Sequence, residues 1–184
     1  MINVSYLSQR DNFNLDGTKN ESNECMISSF AMVLNWIAQK YFIPTLVMSE
    51  YEYLHIISTS SLKEGKEDRF WMALHRRIGN NLFSVLKLPL EFYEAIASYD
   101  TIVERLKAGF PVVVGTDISL FLPNATGHII VAIDYDELGI YFHDPYGNAL
   151  TGYKDPNGKR VYYTKKHLKS LLNNTKCSPL RIPV

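Results

Sequence analysis

The sequence predicts an α+β fold, in which a helix beginning at Cys25 packs on an antiparallel sheet. Three observations carry that prediction. Ile27, Phe30, Ala31, Val33, Leu34, Ile37 and Ala38 recur at three- and four-residue spacing, which gives a helix from Cys25 to about Tyr41 a wide apolar face. The run HIIVAIDY from His128 to Tyr135 is apolar and β-branched. GIYFH from Gly139 to His143 follows it after a short Asp-Glu-Leu turn, so the two read as a hairpin. Helical patterns fill the first half of the chain and strands the second, the segregation expected of α+β rather than of alternating βαβ units.

The remaining elements follow in order. Val4 to Leu7 reads as a short extended segment. Asp11 to Glu24 (DNFNLDGTKNESNE) is polar and rich in Asn and Asp, hence a loop, with Asn23 or Glu24 as the N-cap of the Cys25 helix. Met48 to about Ala97 shows helical periodicity broken near Gly65 and at Gly79-Asn80-Asn81. We read 42–97 as a helical insert within a single domain spanning 1–184. Ser98 to Ala108 reads as a helix, with Thr101 and Glu104 at capping-box spacing and Gly109 closing it. Pro111 to Gly115 is a short apolar strand. Val161 to Tyr163 is another, beyond the turn-rich Asp155-Pro-Asn-Gly, and Lys165 to Leu172 is a terminal helix.

Composition narrows the function classes. With 184 residues, 46% hydrophobic and 21% charged, the chain can bury a core and is not disordered. Nineteen basic residues balance nineteen acidic ones, which argues against partners held by bulk electrostatics: no nucleic acid, no anionic membrane surface. No apolar stretch approaches the ~20 residues that span a bilayer, so membrane insertion is not expected. The first ten residues lack a secretory pattern, which places the newly made protein in the cytoplasm. Two cysteines, Cys25 and Cys177, are too few for a disulfide scaffold or a thiolate zinc site.

Cys25 sits where a polar loop becomes the first turn of a long apolar helix. Unpaired N–H groups and the positive end of the helix dipole converge there, and both favour thiolate over thiol. A nucleophile needs a base, and the base needs an orienter. Of five histidines, His55, His75 and His167 lie among charged neighbours in helical patterns and read as surface residues. His143 ends a strand, whereas His128 follows Gly127 at the mouth of the most apolar strand and is placed to face a cleft. The hairpin arithmetic sets Asp144 almost opposite His128, within ~5 Å across the sheet. An Asx-turn before Pro145 is the other reading of Asp144. Gln9, in the extended segment before the loop, carries an amide that could serve a developing oxyanion if the loop folds back.

Taken together, YLSQRDN from Tyr6, ECMISSFAMVL from Glu24, LKAGFPVVVG from Leu106, GHIIVAIDY from Gly127 and HDPYGN from His143 resemble the papain-like cysteine peptidases of family thirty-nine. That family includes bacteriocin-leader-processing peptidases and stand-alone bacterial and phage relatives. The resemblance implies a papain-like fold with Cys25 as nucleophile, His128 as base, Asp144 as its orienter and Gln9 as oxyanion donor. Met26 stands where the family usually has Gly, and the Gln-to-Cys loop is longer than in compact members.

That loop has a pattern of its own. Asn12, Asn14, Asp16, Thr18 and Asn23 approximate the oxygen spacing of an EF-hand-type calcium loop, with Gly17 after Asp16, so Ca2+ is the one cofactor expected; the alternative is a plain Asn-rich surface loop. For substrate, the stand-alone form resembles phage-encoded cell-wall lysins, which implies a monomeric peptidoglycan hydrolase (an endolysin) acting on the wall after release or delivery. Two rivals stand beside it: a protein-processing peptidase or acyltransferase with the same triad, and a non-catalytic module of the same fold. In a variant of the last, Cys25 would pair with Cys177.

Overall fold

The computed structural model describes residues 1–19, 24–63, 71–123, 125 and 127–183. The helix predicted at Cys25 is α1 (Cys25–Lys40), buried continuously from Met26 to Ala38. A helix buried on nearly every side needs partners around it. On one side lies the sheet. On the other lie α2 (Glu50–Lys63) and α3 (Met72–Val85), which fall in the stretch read as a helical insert. Tyr53, Leu54, Ile57, Leu74, Ile78 and Phe83 from those two helices share one apolar cluster with Phe30, Val33, Leu34 and Ile37 of α1.

The main sheet has six strands, all antiparallel, in the order β2 (Ala95–Ile96), β7 (Lys176–Ser178), β3 (Val112–Thr116), β4 (His128–Tyr135), β5 (Gly139–His143), β6 (Val161–Thr164). A small second sheet pairs β1 (Glu91–Phe92) with β8 (Leu180–Arg181). Both faces of the main sheet are covered. Val113, Ile129, Val131 and Ile133 join the α1 cluster, while Val112, Val114, Ile130 and Ala132 join a second cluster under α4 (Tyr99–Lys107) and α5 (Lys165–Leu171). Alternate side chains point to opposite faces, which is why β3 and β4 read as unbroken apolar runs rather than as a polar–apolar alternation. The result is an antiparallel sheet between two helical layers.

Several local expectations change. The cap of α4 lies three residues upstream of the predicted box: Ser98 Oγ accepts from Thr101 N, because the chain turns helical at Tyr99. Residues 4–7 form no strand; the segment is held by isolated bonds, His143 Nε2 to Val4 O and the Tyr6 hydroxyl to Asp144 O. β7 and β8 carry no turn signal or alternation long enough to predict, yet Cys177 in β7 is fully buried beside Val114. His75 is also fully buried, against the surface reading. Its Nδ1 meets the Tyr53 hydroxyl at 3.0 Å and its ring lies 5.0 Å from that of Phe30. The α3 face that carries His75 turns inward to α1, and a hydroxyl satisfies the imidazole there.

Candidate active site

The hairpin was expected to set Asp144 opposite His128, and that register is not the one found. Val131 pairs with His143 and Ala132 with Phe142, and the ladder ends there, so no residue of β5 faces His128. A three-residue turn at Asp136–Leu138, in which Asp136 Oδ1 accepts from the N–H groups of Leu138 and Gly139, and an irregularity between Ala132 and Asp134 displace the pairing. Asp144 nevertheless reaches His128, by a different route. The chain leaves β5 after His143 and turns, with Gly147 N on Asp144 O, and the turn brings the carboxylate back to the imidazole.

His128 Nε2 and Asp144 Oδ1 are 2.6 Å apart, and both residues are almost wholly buried, at 6% and 1% exposure. The other ring nitrogen is left free of Asp144, and Cys25 lies near enough to act on the charge of the imidazole. Cys25 is half-buried at the first position of α1. Burial pushes against charge on the imidazole, but the Asp144 carboxylate and its hydrogen bond, with Cys25 adding to them, outweigh it. The pKa of His128 is raised to about 10. Gly127, just before it, adopts φ +142°, a backbone state that side chains disfavour, which explains a glycine at the strand mouth.

His143, the rival histidine, is committed elsewhere. Its Nδ1 accepts from Arg160 N and its Nε2 therefore donates to Val4 O, which fixes a neutral tautomer; burial and then the nearby Lys159 and Arg160 charges keep its pKa low despite the Val4 bond.

Around Asp144 the structure gathers groups that sequence reading left aside. Oδ1 also accepts from Tyr146 N at 3.0 Å, so the Asx-turn and the bond to His128 coexist on one oxygen. Oδ2 receives the hydroxyls of Tyr153 at 3.4 Å and Tyr163 at 3.3 Å. The Tyr6 hydroxyl donates to the Asp144 carbonyl and accepts from Gly158 N. Gly158 lies so close that a Cβ there would sit 1.7 Å from that carbonyl oxygen, so only glycine fits. The rings of Tyr146 and Tyr153 stand edge-on to His128, with centroids at 6.4 and 5.8 Å, and screen it from water. A run of tyrosines in a strand-rich region was noticeable in sequence, but which of them face a carboxylate depends on the fold.

Gln9 begins a 3₁₀ turn, Gln9–Asp11, and is buried at 3% exposure. Its N–H donates to Pro145 O, next to Asp144. Arg10 follows and binds the carbonyls of Tyr146 and Tyr153 while stacking on the Tyr146 ring. On the other side Asn12 Nδ2 donates to Ser28 Oγ, one turn beyond Cys25 on α1. The Gln9 turn is thus stapled to the Asp144 loop and to the cysteine helix at once.

The predicted calcium ligands divide. Asn14, Asp16 and Thr18 bond to one another in a single turn, Asp16 Oδ1 taking both the N–H and the hydroxyl of Thr18. Asn12 is turned to Ser28 instead, and Asn23 lies outside the described residues. Among the described residues no three His, Cys, Asp or Glu side chains gather as metal ligands. No metal enters the chemistry below.

Cys25 and Cys177 are both free thiols. Cys177 belongs to the cluster under α4 and α5, and burial pushes its pKa up to about 12, so it is inert packing and not a partner for Cys25. No described helix is long and apolar enough to cross a membrane.

The model of the Peptidase_C39 like family matches residues 1–170. The chain belongs to that family. A crystal structure assigned as a C39-like peptidase from Bacillus anthracis superposes with a TM-score of 0.58 at 15% identity, covering 97% of this chain and 95% of the other. At that identity the likeness shows a shared C39-like fold. No curated protein matches the chain. Family and fold together support a peptidase.

Proposed function

We propose that this C39-like chain is a cysteine peptidase in which Cys25 attacks, His128 shuttles the proton, Asp144 holds His128 and Gln9 stabilises the oxyanion. The observation that carries the reading is the buried His128–Asp144 pair at 2.6 Å, with Cys25 at the start of α1 acting on the same imidazole. An imidazole this basic takes the thiol proton readily, and the resulting imidazolium is stabilised by Asp144.

The steps follow. Cys25 passes its proton to His128, and the thiolate sulfur bonds to the carbonyl carbon of the substrate. The carbonyl π electrons move to oxygen, where the Gln9 amide and the Cys25 backbone N–H, unpaired at the helix start, receive them. Collapse breaks the C–N bond, and the departing nitrogen takes the proton from His128. Water, deprotonated by His128, then attacks the thioester, and the proton returns to the sulfur as the acid leaves.

For substrate, the finer part of the proposal is a peptide or amide bond in bacterial peptidoglycan. It is supported by the resemblance of the motif set to stand-alone cell-wall lysins. Purified peptidoglycan incubated with native protein and with Cys25→Ala, followed by mass analysis, tests both parts. New amino termini mark an endopeptidase, and intact stem peptides released from sugar mark an amidase. If intact wall resists but a denatured protein is cleaved in a Cys25-dependent way, the peptidoglycan assignment fails and the peptidase assignment stands.

A further inference from the structure

The mechanism above uses His128 and one oxygen of Asp144. It leaves unexplained why two tyrosines from different places in the chain, Tyr153 after a 3₁₀ turn and Tyr163 on β6, bring their hydroxyls to the other oxygen. Both phenols are buried, and both are held firmly neutral, first by burial and next by the Asp144 charge itself. A neutral phenol beside a carboxylate can only donate. Tyr153 also adopts φ +61°, a left-handed conformation that a non-glycine residue takes at some cost, and Arg10 Nη2 fixes its carbonyl. Strain at the residue that delivers a hydroxyl is a specific reason to look for a role beyond packing.

We propose that Tyr153 and Tyr163 are positioning residues that clamp Oδ2 of Asp144, so that Oδ1 stays aimed at His128 Nε2. This inference rests on the Cys25–His128–Asp144 reading and deepens it. A carboxylate in water has solvent donors on all sides; at 1% exposure Asp144 has only those the fold supplies. Tyr146 N and His128 share Oδ1, and the two hydroxyls are the donors to Oδ2. The titratable groups facing Asp144 are His128, Cys25 beyond it, Tyr6, Tyr153 and Tyr163.

The distances set the size of the effect. At 3.3–3.4 Å these contacts are longer than a strong O–H···O bond. Each is therefore worth about half a pH unit in the acid limb of the thiol–imidazole pair that Asp144 holds, and the two together about one. Losing them leaves a carboxylate that can rotate away from His128, which weakens the imidazolium and with it the thiolate.

The test is the rate of Cys25 alkylation by iodoacetamide from pH 3 to 8, read by peptide mass, in native protein, Tyr153→Phe, Tyr163→Phe, the double variant and His128→Ala. Phenylalanine keeps each ring and removes only the hydroxyl, and far-UV circular dichroism checks the fold. The acid limb moves up by about half a unit in each single variant and by about one in the double. A merely structural role lowers stability without moving that limb. An acid limb unchanged in the double variant overturns the clamp. Should the double variant unfold, the single variants decide in the same way. If native Cys25 at pH 6 reacts no faster than Cys25 in His128→Ala, the thiol–imidazole pair itself is refuted, and the clamp falls with it for a separately visible reason.

Discussion

Replacing Asp144 by Asn removes the charge that makes His128 basic while leaving the imidazole buried. The expected consequence is a change in how stability depends on pH. In the folded protein the pKa of His128 is raised from 6.5 to about 10. A folded pKa above the unfolded one means the folded state holds the extra proton between those values. The stabilisation is complete below about pH 6.5 and is lost as pH rises through about 10, at about 1.4 kcal/mol per pH unit. Cys25 would mask this. A thiolate–imidazolium pair carries one proton, the same number as a neutral thiol with a neutral imidazole, so the measurement belongs in a Cys25→Ala background. There the imidazole keeps Asp144 and loses only the later-ranked Cys25 contribution, and urea unfolding between pH 7 and 9 shows a loss of up to about 3 kcal/mol. In Cys25→Ala/Asp144→Asn the buried imidazole has no carboxylate, its pKa falls below the ordinary value, and the loss over that range disappears. His143 is held low in both proteins and cancels. Parallel stability curves for the two variants from pH 7 to 9 would refute the claim that Asp144 sets the charge of His128.

The other expectations concern the reaction and its frame. Cys25→Ala abolishes hydrolysis of any substrate that the native protein cleaves, with unfolding midpoints close to native; residual turnover at the native rate would remove Cys25 from the mechanism. Gln9→Ala lowers kcat by about 10²–10³ with little change in KM, the signature of a donor used only in the transition state; a change confined to KM in steady-state kinetics would count against it. Gly158→Ala places a Cβ 1.7 Å from the Asp144 carbonyl, which cannot be accommodated without moving the loop, so stability falls by about 3 kcal/mol or more and activity with it. Urea midpoints and turnover equal to native would show that the loop is freer than its packing implies.

Much of this was legible in the residues because the signals are local. α1 runs Cys25–Lys40 where three- and four-residue spacing set it, and β4 and β5 have the bounds that β-branched runs and a polar turn dictate. The position of Cys25 at a helix start, of His128 after a glycine and of Asp144 before a proline are likewise properties of short stretches. Where the reading failed, the deciding interaction was distant in sequence. The hairpin register turned on one bulge and one turn residue, which shift pairing without any mark in hydrophobic alternation. β7 was missed because three residues hold too little pattern, and the strand it pairs with, β3, lies 59 residues back along the chain. His75 looked polar and exposed until α3 packed against α1.

The sequence by itself determined which groups exist to do chemistry and which element carries each, since helix and strand periodicity depend on neighbours a few residues apart. Only the tertiary structure decided what Asp144 touches. A buried carboxylate must find donors, and the ones it found, on β4, on the loop after β5 and on β6, are brought together by sheet pairing and packing.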